Sequence, residues 1–273
     1  MKYIRRAVVL LFTVTLITYI IYSFISAGKV DQSAPVIASD SDTLEVPSAA
    51  TDEQLLAGLT ATDKEDGDLT AKIRVGTHSD FSEKGICQLN YLVFDSQNAV
   101  GQYSRMVTYT DYHSPTFSLS EPLMYNENQN VTILDRLSAN DVLTGDISQK
   151  IKIVDGNVDA AVSGTYTLGV EAANDYGDIV SLNLPVHIAV KVYNAPVITL
   201  STYLIYSKVG TKIDPYAYLA QITDSKGSPL DMSAVIVQSA VDAAQPGVYE
   251  VAYQYTQENG SSGLSYLIVV VEE

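Results

Sequence analysis

Asp63, Glu65, Asp66 and Asp68 place four carboxylates within six residues and form the one candidate metal cluster of the chain. Calcium takes six to eight oxygens, commonly several from one loop. The spacing does not fit a helix-loop-helix calcium loop, because Gly67 comes too early and no Glu stands at the twelfth position. Turn chemistry accounts for the same residues with fewer requirements, since Asp-Gly fixes a tight turn and Asp side chains accept backbone N–H bonds. A second acidic turn further along keeps only Asp141 and Asp146. A structural turn is the preferred reading and calcium the weaker one, so no cofactor is expected.

Other side chains that could do chemistry are scattered. His78, His113 and His187 fall in different parts of the chain at no ligand spacing. Cys87 is the only cysteine; it alternates with Leu89, Tyr91 and Val93 and reads as an inward core thiol rather than a nucleophile. No Gly-x-Ser-x-Gly elbow, His-Glu-x-x-His pair or phosphate loop occurs, and no acidic pair suggests glycoside cleavage. The sequence therefore predicts a protein that is not an enzyme. Tyrosines are concentrated near the end of the chain. Tyr249 and Tyr253 follow an inward register, whereas Tyr203, Tyr206, Tyr216 and Tyr218 lie on segments with less regular alternation and are the candidate ligand-facing residues. Ordinary packing is the competing reading for these four.

The elements that hold these residues repeat. Pro35, Pro115 and Pro196 open three copies of one pattern, 80 and 81 residues apart. Leu59, Leu137 and Leu219 each stand eight residues before Gly67, Gly145 and Gly227. Gly85, Gly164 and Gly247 then precede strands of period-2 alternation, Cys87 to Val93, Tyr166 to Ala172 and Tyr249 to Tyr255. Pro185 inside the last strand of the second copy predicts an edge or a bulge there. Short strands with turn signals, in units of about 80 residues, predict β-sandwiches.

Thr60-Ala61-Thr62-Asp63-Lys64-Glu65-Asp66-Gly67-Asp68-Leu69-Thr70, followed by Gly85, resembles the bacterial immunoglobulin-like repeats of surface proteins, close to the hyalin-repeat group. The second copy resembles them through Ser138 to Asp141, Gly145-Asp146-Ile147 and Gly164-Thr165-Tyr166. The third keeps Val241-Asp242 and Gly247-Val248-Tyr249 but has Gly227-Ser228-Pro229-Leu230 in place of the Gly-Asp-Leu turn. The resemblance, over residues 33–273, implies spacer, stalk and adhesion modules of bacterial envelopes. It brings no catalytic residue, and fold alone names no ligand.

Ala7 to Ala27 carries no charge over 21 residues and follows Lys2, Arg5 and Arg6. That length covers a hydrocarbon core of roughly 30 Å. Basic residues on its N-terminal side predict a cytoplasmic N-terminus and external C-terminal domains in a single-pass cell-membrane protein. A cleaved signal sequence ending near Ser26-Ala27-Gly28 is the alternative. Beyond Gly28 stand 32 acidic and 13 basic residues, a formal charge of 13 − 32 = −19, which argues against nucleic acid and anionic lipid surfaces as partners.

The expected organisation is a basic tail (1–6), a transmembrane helix (7–27), a linker (28–32) and immunoglobulin-like domains at 33–113, 114–194 and 195–273. Short proline-bearing joints predict a semi-rigid rod on the order of 100 Å long. The expected function is a membrane-anchored stalk or adhesion module meeting an envelope glycan or surface protein. The alternative is an accessory subunit of a membrane-embedded polysaccharide or protein export assembly, with Thr13, Thr15, Thr18, Tyr19 and Tyr22 making helix contacts.

Overall fold

The computed structural model describes residues 2–27 and 33–273. The expected linker 28–32 lies outside the described residues. A single helix, α1 (Lys2–Ala27, 26 residues), occupies the apolar segment, and no side chain in its Arg6–Ser23 window is buried within the protein. The hydroxyls of Thr13, Thr15 and Thr18 donate to helix carbonyls three or four residues back, which satisfies these donors within the helix itself.

The chain divides into two compact units, Met1–Ser79 with Ile86–Thr110, and Asp80–Gly85 with Asp111–Glu273. The β part of the first unit holds β1 (Val36–Ser39), β2 (Thr43–Val46), β3 (Leu59–Asp63), β4 (Gly67–Asp68), β5 (Arg74–His78), β6 (Ile86–Phe94) and β7 (Val100–Tyr109). They form two sheets, β1-β3-β4 and β2-β7-β6-β5. The opening strand serves both sheets. β1 pairs antiparallel with β3, and after a bend held by Ser39 and Ser41 hydroxyls the chain continues as β2, parallel to β7. A four-residue helix, α2 (Asp52–Leu55), follows, closed by a capping box between Thr51 and Gln54.

Alternation decides which face is inside. Cys87, Leu89, Tyr91 and Val93 of β6, with Val107 and Tyr109 of β7, are buried beside Ile37, Leu59, Ala61, Leu69 and Ile73. A one-residue slip would turn each strand's inward set to solvent, which pins the register.

The second unit repeats the arrangement twice. Its first half holds β8 (Thr116–Leu119), β9 (Met124–Asn126), β10 (Leu137–Asp141), β11 (Gly145–Asp146), β12 (Lys152–Asp155), β13 (Gly164–Ala173) and β14 (Ile179–Ala189). Their sheets are β11-β10-β8 and β12-β13-β14-β9. The second half holds β15 (Val197–Leu200), β16 (Leu204–Lys208), β17 (Leu219–Thr223), β18 (Ile236–Ser239), β19 (Gly247–Thr256) and β20 (Ser262–Glu272), in sheets β15-β17 and β16-β20-β19-β18. The eight-residue Leu-to-Gly spacing ends each time on a glycine at positive φ: Gly67 at 74°, Gly145 at 76° and Gly227 at 86°, a conformation that disfavours any Cβ. In the third copy the turn leads to a single bridge, Thr223 to Pro229, instead of a strand, with Pro229 at the place of Asp68 and Asp146, which end the short strands of the other copies.

Two expectations are refined. β14 keeps an unbroken register with β13 through Pro185, while its other neighbour β9 joins only from His187 onward. Pro185 therefore lies where the strand has one partner, and its missing N–H leaves no gap in a ladder. The joint near Tyr193 does not isolate the third sandwich. Leu204, Ile268 and Val270 are buried in the same apolar cluster as Phe117, Leu184 and Val186 of the second, and the opposite face of β20 closes the third core with Leu267, Val269 and Val271. A strand buried on both faces makes the two sandwiches of this unit one packed body.

Candidate functional site

The acidic run forms a turn between β3 and β4, and its carboxylates point to different tasks. Asp63 Oδ1 accepts the amides of Glu65 (2.8 Å) and Asp66 (2.9 Å). Asp66 reaches across to the loop after β6, accepting the Ser96 amide (2.5 Å) and hydroxyl (2.9 Å). Asp68 accepts the Thr70 amide at 2.9 Å, and bonds from the Thr70 hydroxyl and amide hold its carboxyl below the ordinary range. Glu65 is exposed. The run is thus not one cluster of converging ligands.

Asp95, in the polar turn that follows β6, is buried like Asp63. Their exposures are 7% and 9%. Asp95 Oδ1 accepts the amides of Gln97 (2.8 Å) and Ala99 (2.7 Å). The second oxygen of each, Asp63 Oδ2 and Asp95 Oδ2, is buried without a hydrogen-bond partner.

In the second sandwich the positions of Asp63 and Asp95 are taken by Asp141 and Asn174, the last residue of β10 and the first after β13. Asp141 Oδ2 accepts the amides of Leu143 (3.0 Å) and Thr144 (2.8 Å), as Asp63 does in its turn. Asn174 Oδ1 accepts from Tyr176 and Asp178, as Asp95 does from Gln97 and Ala99. The Asn174 amide then donates to Asp141 Oδ1 at 3.0 Å and to the Tyr112 hydroxyl at 2.9 Å. Tyr112 donates in turn to Asp178 at 2.8 Å, and burial with that carboxylate pushes its phenol strongly up. Every polar atom facing this network has a partner.

The four candidate tyrosines part company. Tyr206 accepts the Phe117 amide at 2.8 Å and packs into the shared cluster, where burial pushes its phenol up to about 12. Tyr203 accepts the Leu200 amide at 3.3 Å and touches both apolar clusters. Tyr218 packs on the third core. Tyr216 alone is open, at 57% exposure. An aromatic ring whose hydroxyl finds a backbone partner packs at little cost, which accounts for Tyr206 and Tyr203 being drawn inward. Tyr203 also lines a cleft of about 430 Å³ with Pro122, Met124, Val190, Val192 and Leu264, within the size range of ligand pockets.

Cys87 is fully buried, with its thiol pushed up to about 11 by burial, the opposite of an activated nucleophile. His187 is tied down: its ring stacks on Tyr266 (centroids 3.8 Å, 8°), with Glu250 at 2.8 Å and Thr165 at 3.0 Å. His113 is exposed and contacts the Ser114 carbonyl at 3.0 Å.

No family model matches the chain. Over 221 residues it is 27% identical to the pesticidal crystal protein Cry22Aa of Bacillus thuringiensis, covering 78% of this chain and 29% of that protein. The chain thus spans less than a third of that relative's length. Similar solved structures include Drosophila N-cadherin EC1-3, 14% identical with a TM-score of 0.32, covering 89% of this chain and 90% of that one. Another is the M60 catalytic domain with CBM51-1 and CBM51-2 of Clostridium perfringens ZmpB, 10% identical with a TM-score of 0.25, covering 89% of this chain and 31% of that one.

Proposed function

We propose that the chain is a membrane-anchored envelope protein whose immunoglobulin-like sandwiches act as a stalk or adhesion module and carry no catalysis. The observation that supports this most is α1: eighteen residues, Arg6–Ser23, without any burial inside the protein. So much apolar surface is stable only in lipid or against another helix. A retained helix with Lys2, Arg5 and Arg6 on its N-terminal side puts the sandwiches outside. Their strongly acidic surface, −19 beyond Gly28, keeps such modules soluble and apart. The stretch shared with the crystal protein covers most of this chain and a minor part of that one, as suits a module used in more than one setting. Envelope glycan or a surface protein is the ligand, met through the cleft beside Tyr203 or the open ring of Tyr216.

The test uses cells producing the full chain. Retention in the membrane pellet after alkaline extraction, an intact N-terminus by mass spectrometry and loss of the sandwiches on protease shaving are expected. Saturable binding of the detergent-purified chain to intact cells, lost on wall-stripped ones, is the expected adhesion result. A chain released into the medium and starting beyond Ala27 would overturn the anchor. Undiminished association with a membrane complex, together with no wall binding, would favour an export-assembly subunit instead.

A further inference from the structure

We propose that Asp63 and Asp95 are two ligands of a divalent cation of the calcium type, bound at the end of the first sandwich. The second sandwich supplies the reference. At the same two positions, with the same backbone bonds to one oxygen of each side chain, an Asn174 N–H fills the gap to Asp141 at 3.0 Å. Asp95 puts an acceptor where Asn174 has a donor. Asp63 Oδ2 and Asp95 Oδ2 are both buried and both without a hydrogen-bond partner, at the two positions that the Asp141–Asn174 bond joins in the second sandwich.

Two carboxylates buried side by side repel, and a bridging water would supply O–H donors but no positive charge. Within the turn itself the one basic side chain, Lys64, is exposed, while Glu65, Asp66 and Asp68 add further negative charge. A hard divalent cation satisfies both lone pairs and both charges at once. Asp66 fixes the spacing, because its bonds to Ser96 lock the Asp63 turn against the Asp95 loop. With two committed carboxylates and the remaining ligands from backbone or water, affinity falls in the class of extracellular modules, about 0.1–1 mM. The inference concerns a site within the first sandwich and stands or falls independently of the anchor.

The test is calcium binding to the full chain in detergent, by equilibrium dialysis against calcium chloride after chelation. One calcium per chain is expected, with a rise in the thermal midpoint of roughly 5–10 °C at ten times Kd. Asp95→Asn reproduces the Asn174 arrangement, so the variant folds, binds no calcium at this site and loses the calcium-dependent shift. Glu65→Gln, which removes an exposed charge from the same turn, leaves binding unchanged. The proposal is overturned if the wild-type chain binds no calcium saturably up to about 10 mM. Equal losses in Asp95→Asn and Glu65→Gln would overturn it too, by showing diffuse surface attraction.

Discussion

Arg105 is the side chain whose removal tests the reasoning about the first sandwich most sharply. It is 2% exposed, yet its guanidinium meets carbonyls rather than a carboxylate: Leu55 O at 2.7 Å and Ala57 O at 2.9 Å, with the Tyr91 hydroxyl at 3.0 Å. Those carbonyls sit at the C-terminal end of α2, the negative end of its dipole. Arg105→Met keeps the apolar stem and deletes the donors. Each lost bond from a charged donor is worth about 1.5–3 kcal/mol, and relief of burying the charge offsets part of that. The expected net loss is about 2–4 kcal/mol, or a fall in amide protection of roughly 30- to 1,000-fold. Hydrogen exchange of the full chain reads it region by region. Peptides from β6 and β7 should lose protection while those from β13 and β14 keep theirs. A loss under about 1 kcal/mol, or an equal loss in both regions, would refute the assignment of Arg105 as the link between α2 and the sheet.

Cys87 makes stability fall in alkali: its folded thiol is raised to about 11, so the contribution is complete below the unfolded value near 8.5 and is lost as pH rises towards 11. Cys87→Val should flatten that part of a urea midpoint-versus-pH curve, and the wild-type thiol should resist alkylation until the chain unfolds. His187→Ala removes the stack on Tyr266 and the bond to Glu250; a loss of about 1–2 kcal/mol is expected, seen as faster proteolysis at the 190–196 joint with the first unit unaffected. Gly101→Ala forces a Cβ to 2.1 Å from the Pro35 carbonyl oxygen, and Gly263→Ala one to 2.0 Å from that of Pro196. Each should destabilise its own sandwich by about 1–3 kcal/mol in denaturant titration, because the obstacle is backbone and cannot step aside.

Strand positions were legible because alternation is a direct image of a half-buried sheet. Cys87 to Val93 faces the core as its period requires, and the Leu-to-Gly spacing ends on positive-φ glycine in all three copies. Arg105 was readable by the same rule, standing two and four residues before the inward Val107 and Tyr109, but a lone arginine in a strand reads as solvent-facing until its carbonyl partners, some fifty residues away, are known. Asp95 carried a similar signal. Its counterpart is Asn174, and the change from amide to carboxylate matters only once Asn174 is seen to bond Asp141. Asp66 shows the limit of proximity in sequence: its partner is Ser96, thirty residues on, rather than a neighbour in the acidic run.

The union of the second and third sandwiches has its own sequence trace in Leu267 to Val271, five apolar residues without alternation. A strand with one wet face alternates; one that does not must be covered on both sides. Ile268 and Val270 turn to the second core while Leu267, Val269 and Val271 close the third. This explains the fate of the tyrosines as well. Tyr206 and Tyr203 flank the same seam, and their hydroxyls serve the amides of Phe117 and Leu200. Irregular alternation around them signalled a second packing partner, not exposure. The proposed recognition by this unit would then fall to side chains the seam leaves over, which directs mutagenesis to Tyr216 and to the apolar cleft rim at Val190, Val192 and Leu264, all exposed, where substitution would alter such binding without opening either core.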